Sequence, residues 1–282
     1  MYHLIFILHE MENIRGGQFN NPMQWVTGIK VITLCSFKEK MRYRLDFILT
    51  IIISFIMGIM LAFGLTTLSV MGPSYLVGSK FYLGYLLWTL YHSTANRIGL
   101  ILNNMARQGV LERVLTLPLN PLFIVSAYNV AQSVEGLCNF WILMSMGMLF
   151  GVKFKFNFVP ALVVLLIVLL FFAGLSFVFA GLTLVFKRVI PIMQFVNLLL
   201  LGSGVYAVGK LSPVAERIVS IIPYTYAAHL LREIEIDGIG WAEVLPQLPI
   251  LLLSSLGFLG VGVLVFEYCN KYAREKGIIG HF

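Results

Sequence analysis

NFVPALVVLLIVLLFFAGLSFVFAGLTLVF, residues 157–186, runs for thirty residues without a charged side chain. About 20 mostly apolar residues cross a bilayer as a helix, and in hydrocarbon the backbone must satisfy its own hydrogen bonds. This stretch is therefore read as a membrane-spanning helix. Five further windows meet the same length requirement, at roughly 47–68, 80–103, 120–150, 189–208 and 244–266. The expected fold is all-α and polytopic, with six transmembrane helices. The fifth window carries Pro191 and several glycines and reads as interrupted.

Composition agrees with a membrane interior. Hydrophobic residues make up 59% of the chain and charged residues 12%, with a mean hydropathy of +0.89, against about 25% charged in soluble domains. The three cysteines, Cys35, Cys138 and Cys269, are odd in number and lie in or beside apolar stretches, so they read as small apolar fillers and not as a disulfide framework. The formal charge of +7 comes from basic residues beside the spans. They suit anionic lipid headgroups and exclude a nucleic-acid-binding domain. YHLIFIL near the N-terminus has neither a basic leader nor a small-residue cleavage motif and is not read as a signal peptide. Residues 1–22 are expected to be a tail, with Met23 an alternative start, and residues 23–282 to form one membrane domain.

Ahead of the first span, residues 22–44 place Trp25, Ile29, Ile32 and Ser36 on one helical face, with Lys30, Lys38, Lys40, Arg42 and Arg44 elsewhere. That pattern predicts an amphipathic helix lying on the membrane surface. With both termini inside, 14 of the 20 basic residues are cytoplasmic, which sets the orientation by charge bias. Lys153 and Lys155 run against it. The outer segment 215–244 mixes Glu216, Glu233, Glu235, Asp237 and Glu243 with apolar pieces too short to span. It is read as two short re-entrant helices in the outer leaflet. His229 within it reads as a packed imidazole.

One stretch imitates a nucleotide site. GVYAVGKLS, Gly204 to Ser212, fits G-x-x-x-x-G-K-[ST] except that Leu211 replaces the hydroxyl residue that would bind magnesium. The upstream segment is too long and evenly apolar for the required strand. The two aspartates, Asp46 and Asp237, do not end an apolar strand as a magnesium-orienting carboxylate should. The chain is expected to hold no nucleotide, cofactor or metal of its own and to perform no covalent chemistry.

The cytoplasmic loop ARQGVLERVLTLPLNP (106–121) contains a short helical pattern, with Val110, Leu111, Val114 and Leu115 on one face and Glu112 and Arg113 on the other, ended by Pro118. Periodicity alone is equally that of an ordinary amphipathic loop. However, GVLERVLTLPL resembles the G-T-L-E-x-L-x-x-x-P stretch of the type-2 ATP-binding-cassette (ABC-2) permease family. A later segment, 186–233, is similar to the part of that family in which a helix ends in Ser-Gly, passes a proline-bearing outer loop and reaches P-x-T-x-x-x-x-x-R. Here those positions are Ser203, Gly204, Pro213, Pro223, Thr225 and Arg232, beside Tyr224. Val110 departs from the family's usual Thr, and Ala207-Val208 from its aromatic, proline-bearing outer turn.

The resemblance implies a permease subunit whose Gly109, Leu111, Glu112, Arg113 and Pro118 form a coupling helix against a separately encoded ATPase, present in two copies, which carries ATP and magnesium. A second permease copy or a homologue completes the dimer. It further implies a plasma-membrane exporter of an amphipathic substrate such as a drug, lipid or lipid-linked glycan, with Gly204, Pro223, Tyr224, Thr225 and Arg232 at an outer gate.

Ionisable groups at membrane depth mark candidate paths. Glu135 either faces a translocation path or takes a proton, or it packs against Asn139, His92 or Arg97. Tyr85, Trp88 and His92 continue a stripe from Phe81 along one helical face, which serves either a substrate path or helix packing. Two other functions remain open at this stage: an ion- or proton-coupled carrier using Glu135 and His92, and a membrane scaffold without transport.

Overall fold

The computed structural model describes residues 44–68, 74–109, 120–186, 188–206 and 222–276, which are helical with no strand among them. The elements are α1 (Arg44–Leu68), α2 (Ser74–Tyr91), a π turn (His92–Asn96), α3 (Arg97–Arg107), α4 (Pro121–Leu149), α5 (Phe158–Val185), α6 (Ile190–Tyr206), α7 (Pro223–Arg232), a second π turn (Glu233–Asp237), α8 (Trp241–Val244), a 3-10 turn (Leu245–Gln247) and α9 (Leu248–Glu275). Each of the six apolar windows coincides with one long helical run. Two runs, Phe158–Val185 and Trp241–Glu275, are long and apolar enough to cross a membrane by themselves, whereas Phe47–Leu61 and Ile190–Gly204 are shorter apolar helices.

Local chemistry sets the helix ends. Asn120 caps α4 by accepting the Leu122 N–H at 3.0 Å, with Pro121 in the first turn where its missing N–H costs nothing. Pro191 plays the same part in α6. It stands in the first turn and the helix runs on without a break to Tyr206, so the expected interruption is absent.

A buried cluster that includes Tyr82, Tyr91, Phe140, Phe172 and Tyr224 fills the bundle, and one helix pair meets by close backbone approach. α5 packs along α9, where a Cβ on Gly174 would lie 2.6 Å from the Phe258 carbonyl oxygen and 2.9 Å from the Leu259 backbone. A Cβ on Gly262 would overlap the Gly174 carbonyl. Small residues at such a seam let membrane helices touch through their backbones, where apolar lipid gives no hydrophobic drive for association. Above the seam, Phe171 meets Phe258 edge-on with ring centres 5.1 Å apart. On the opposite side of α5, Ser176 donates to the buried Asn129 Oδ1 of α4 at 2.7 Å.

α2, the first π turn and α3 form one continuous run from Ser74 to Arg107. Inside it, Ser93 and Thr94 donate back to the Leu90 carbonyl at 3.0 and 2.8 Å, side-chain bonds that compete with the α ladder. Gly136 of α4 sits against this turn, since a Cβ there would fall 2.7 Å from Ser93 Oγ. That approach fixes the height of the neighbouring Glu135.

Candidate functional site

A cavity of about 740 Å³ opens between α1, α2, α3, α4 and the Leu201 end of α6. All five residues expected on a translocation path, Tyr85, Trp88, His92, Glu135 and Asn139, line it. The three rings form a ladder, with centres 5.6 Å apart from Tyr85 to Trp88 and 5.5 Å from Trp88 to His92. The ladder also carries packing. Tyr85 donates its hydroxyl to the Ser54 carbonyl at 2.6 Å, tying α2 to α1, and Trp88 Nε1 donates to Asn197 Oδ1 at 2.8 Å, tying α2 to α6. The two readings of the stripe are thus compatible.

In the cavity lining Glu135 Oε1 lies 3.7 Å from Arg97 Nη1, with the carboxylate side chain 13% exposed and the arginine side chain 47% exposed. Of the partners open to Glu135 from sequence, Arg97 is the one that makes an ion pair. The π turn brings Arg97 into place. From His92 a regular α-helix returns to the same face after four residues, at Asn96, whereas a π turn spends an extra residue. Asn96 is accordingly buried, and Arg97 lines the cavity together with His92. Asn104, two helical turns further, lines it too. Sequence periodicity missed Ser54, Asn104 and Asn197. The run HSTAN, with two hydroxyl side chains able to bond backwards, is the local signal of the register change.

A second constellation gathers the residues expected at an outer gate. Pro223 begins α7. Tyr224 is fully buried, its ring centre 6.2 Å from Phe172 and its hydroxyl 3.5 Å from the Gly84 carbonyl. Gly204 leaves room for it, since a Cβ there would meet Tyr224 Oη at 2.5 Å. Arg232, also buried, donates Nε to the Lys80 carbonyl at 3.2 Å and Nη2 to the Gly204 carbonyl. Burial draws its pKa down to about 10, which leaves it a cation at neutral pH. Thr225 is buried in the first turn of α7, its N–H bonded to the Ile222 carbonyl. α7 is thereby seated on both α2 and α6. Gly204 lies inside a helix, so the glycine of the apparent nucleotide motif serves close packing; residues 207–221, with the rest of that motif and Pro213, lie outside the described residues.

Below α7 the carboxyl of Glu235 is buried in the second π turn, against the α4–α5 connection. Burial raises its pKa to about 7, partly offset by the backbone N–H groups of Asn157 and Phe156, although neither oxygen meets full hydrogen-bond geometry. The Lys155 N–H donates to the Glu235 carbonyl at 2.7 Å and Lys155 Nζ to the Asp237 carbonyl. Phe156, between them, takes φ 48, a left-handed value uncommon for a bulky residue. These contacts give Lys155 a structural task on the side where charge bias disfavours it. His229 is not packed. Its side chain is 60% exposed and Nδ1 lies 3.4 Å from Glu233 Oε1.

Of the expected coupling residues, Gly109 alone is described. It follows α3 at φ 67, a conformation that suits glycine at a helix end, and its N–H bonds to the Ala106 carbonyl at 3.1 Å. Leu111, Glu112, Arg113 and Pro118 lie outside the described residues, as does the surface helix expected before Arg44.

Comparison with known proteins places this architecture. A search of curated proteins finds no match. The family described as ABC-2 family transporter protein matches residues 77–264, two-thirds of the chain, a range that contains the ring ladder, the Arg97–Glu135 pair and the seat of α7. The chain is a membrane protein and belongs to the ABC-2 transporter family.

Proposed function

We propose that the chain is the permease subunit of an ABC exporter that moves an amphipathic substrate and takes its energy from a separately encoded ATPase. In this reading the six long helical runs all span the plasma membrane, both termini are cytoplasmic, and two permease subunits pair with two ATPase copies. The chain itself holds no ATP. The observation that supports this best is the convergence of Tyr85, Trp88, His92, Glu135 and Asn139 on one cavity. Its volume falls within the range of about 300–1,000 Å³ typical of small-molecule sites. A mostly apolar wall with one charged pair suits a molecule that is apolar along its body and polar at one point.

The loop after Gly109 would carry the ATPase contact, through Glu112 and Arg113, while Leu111 packs on the bundle. Truncating one member of a desolvated charged contact costs on the order of 2–5 kcal/mol, against under about 1 kcal/mol for an exposed pair. Glu112→Ala is therefore expected to leave the protein inserted but to reduce co-purification of the ATPase or uncouple its hydrolysis from transport. Leu111→Asp should do more damage, because it places a charge on the packed face. Lys276→Ala, at an exposed position after α9, is the control. Parent-like ATPase yield and coupling in both Glu112→Ala and Leu111→Asp would sink the coupling assignment. Transport that persists without any ATPase would instead favour a carrier driven by an ion gradient.

A further inference from the structure

The cavity is selective in charge as well as in shape. Among the described residues its charged lining is one cation, Arg97, and one anion, Glu135, held 3.7 Å apart. A ligand of net charge that engages one of them draws it away from its counter-ion, which is unfavourable beside a largely buried carboxylate. A ligand bearing both charges close together can exchange the internal pair for two new ones without stranding either group. The surroundings fit that exchange. The rings of Trp88 and His92, 5.5 Å apart, line the same cavity as the pair, and aromatic faces attract a cation within about 6 Å. Asn139 adds a buried amide oxygen with no hydrogen-bond partner among the described residues, an acceptor for a ligand N–H. On α1 the lining runs from Phe47 to Leu61, about 21 Å at 1.5 Å per residue, which is room for a chain-like apolar body.

We infer that the cavity binds a net-neutral, zwitterionic amphiphile, with its ammonium group between Glu135, Asn139 and the Trp88–His92 rings, its anionic group on Arg97, and its apolar chain along Tyr85 and the α1 wall. The inference rests on reading the cavity as the substrate site of an exporter, and it adds the charge class of the substrate.

The test uses the full chain in nanodiscs of an anionic lipid, so that the bilayer itself offers no zwitterion. Trp25, Trp141 and Trp241 are replaced by Phe, leaving Trp88 as the reporter. Three brominated amphiphiles of equal chain length are titrated: an alkyl ammonio-carboxylate, an alkylammonium and an alkyl sulfate. Saturable quenching of Trp88 is expected with the zwitterion at a midpoint at least about tenfold below those of the two charged probes. Arg97→Gln and Glu135→Gln should each abolish that preference, and the exchanged pair Arg97→Glu with Glu135→Arg should restore it, a rescue that simple misfolding would not give. Equal or tighter binding of either charged probe, or non-saturable quenching unchanged by the substitutions, overturns the inference. Binding is read without the ATPase, so the two proposals fail separately. ATP-dependent efflux with no zwitterion preference removes only the charge class, and zwitterion binding in a chain that recruits no ATPase removes only the exporter.

Discussion

Gly260 and Gly262 are two residues apart on α9 and offer an internally controlled measurement of the α5–α9 seam. Replacing either with alanine gives the same gain in helix propensity, up to about 1 kcal/mol. The surroundings differ completely. A Cβ at Gly260 meets nothing within 4 Å, whereas a Cβ at Gly262 would overlap the Gly174 carbonyl oxygen and lie 2.8 Å from the Gly174 Cα and carbonyl carbon. All three obstacles are backbone, so no rotamer change relieves them and the two helices must part. Overpacking of this kind costs about 1–3 kcal/mol. Propensity cancels in the comparison, so Gly262→Ala should unfold about 1–3 kcal/mol more easily than Gly260→Ala. Reversible unfolding in mixed detergent and SDS micelles, followed by helical circular dichroism, gives the difference directly. A heated sample should show it as a shift of roughly 2–12 °C at 2–4 °C per kcal/mol. The seam lies away from the cavity, so the quenching midpoint for the zwitterionic probe should stay unchanged in both variants. Equal stability of the two, within about 0.5 kcal/mol, would mean that α5 and α9 do not meet through Gly174 and Gly262.

Two other outcomes follow from the surroundings of α7. Glu235 has a folded pKa raised from 4.5 to about 7, so its buried, protonated form contributes stability that is complete below about pH 4.5 and is lost as the pH climbs through 7. The Asn157 and Phe156 backbone N–H groups approach its carboxyl; amide protection factors in residues 233–237, that is exchange corrected for its intrinsic rise with pH, should fall from pH 5 to pH 8 in the parent and stay level in Glu235→Gln, and an identical protection profile in both would refute the assignment. Gly204→Val should drive Tyr224 from its seat, because the new Cβ would stand 2.5 Å from the hydroxyl. Protease cleavage near α7 should then rise several-fold while α5 and α9 stay intact, and unchanged cleavage would contradict the packing of α7 on α6.

Apolar length is a local property, and the six windows accordingly fall on the six long helical runs, the uncharged 157–186 most exactly of all. Clustering of Tyr85, Trp88 and His92 was legible because they share one regular helical face. Placing Arg97 on the same cavity face as His92 was harder, because a π turn shifts the face by one residue and regular 3.6-residue periodicity does not show it. The same holds outside the spans. Lys155 looks misplaced by charge counting until its bonds to the carbonyls of Glu235 and Asp237, some eighty residues away, are seen. Pro191 was read as a break, although a proline in a first turn and one in a helix interior look alike in sequence until the helix start is fixed.

The run from Ser74 to Arg107 meets every functional feature in turn. Its N-terminal part supplies the Lys80 and Gly84 carbonyls that seat Arg232 and Tyr224, its middle carries the ring ladder, and its π turn delivers Arg97 to Glu135. Gly109 stands two residues beyond its end, at the start of the proposed coupling loop. A regular α-helix transmits displacement as a rigid rod, but a π turn can lose its extra residue to the neighbouring turn and rotate one half against the other. Removing that residue would rotate the arginine off the cavity face and take the cation away from Glu135. In the proposed coupling, a displacement beyond Gly109 would reach Arg97 and the cavity lining along this one helical run, without passing through the α5–α9 seam.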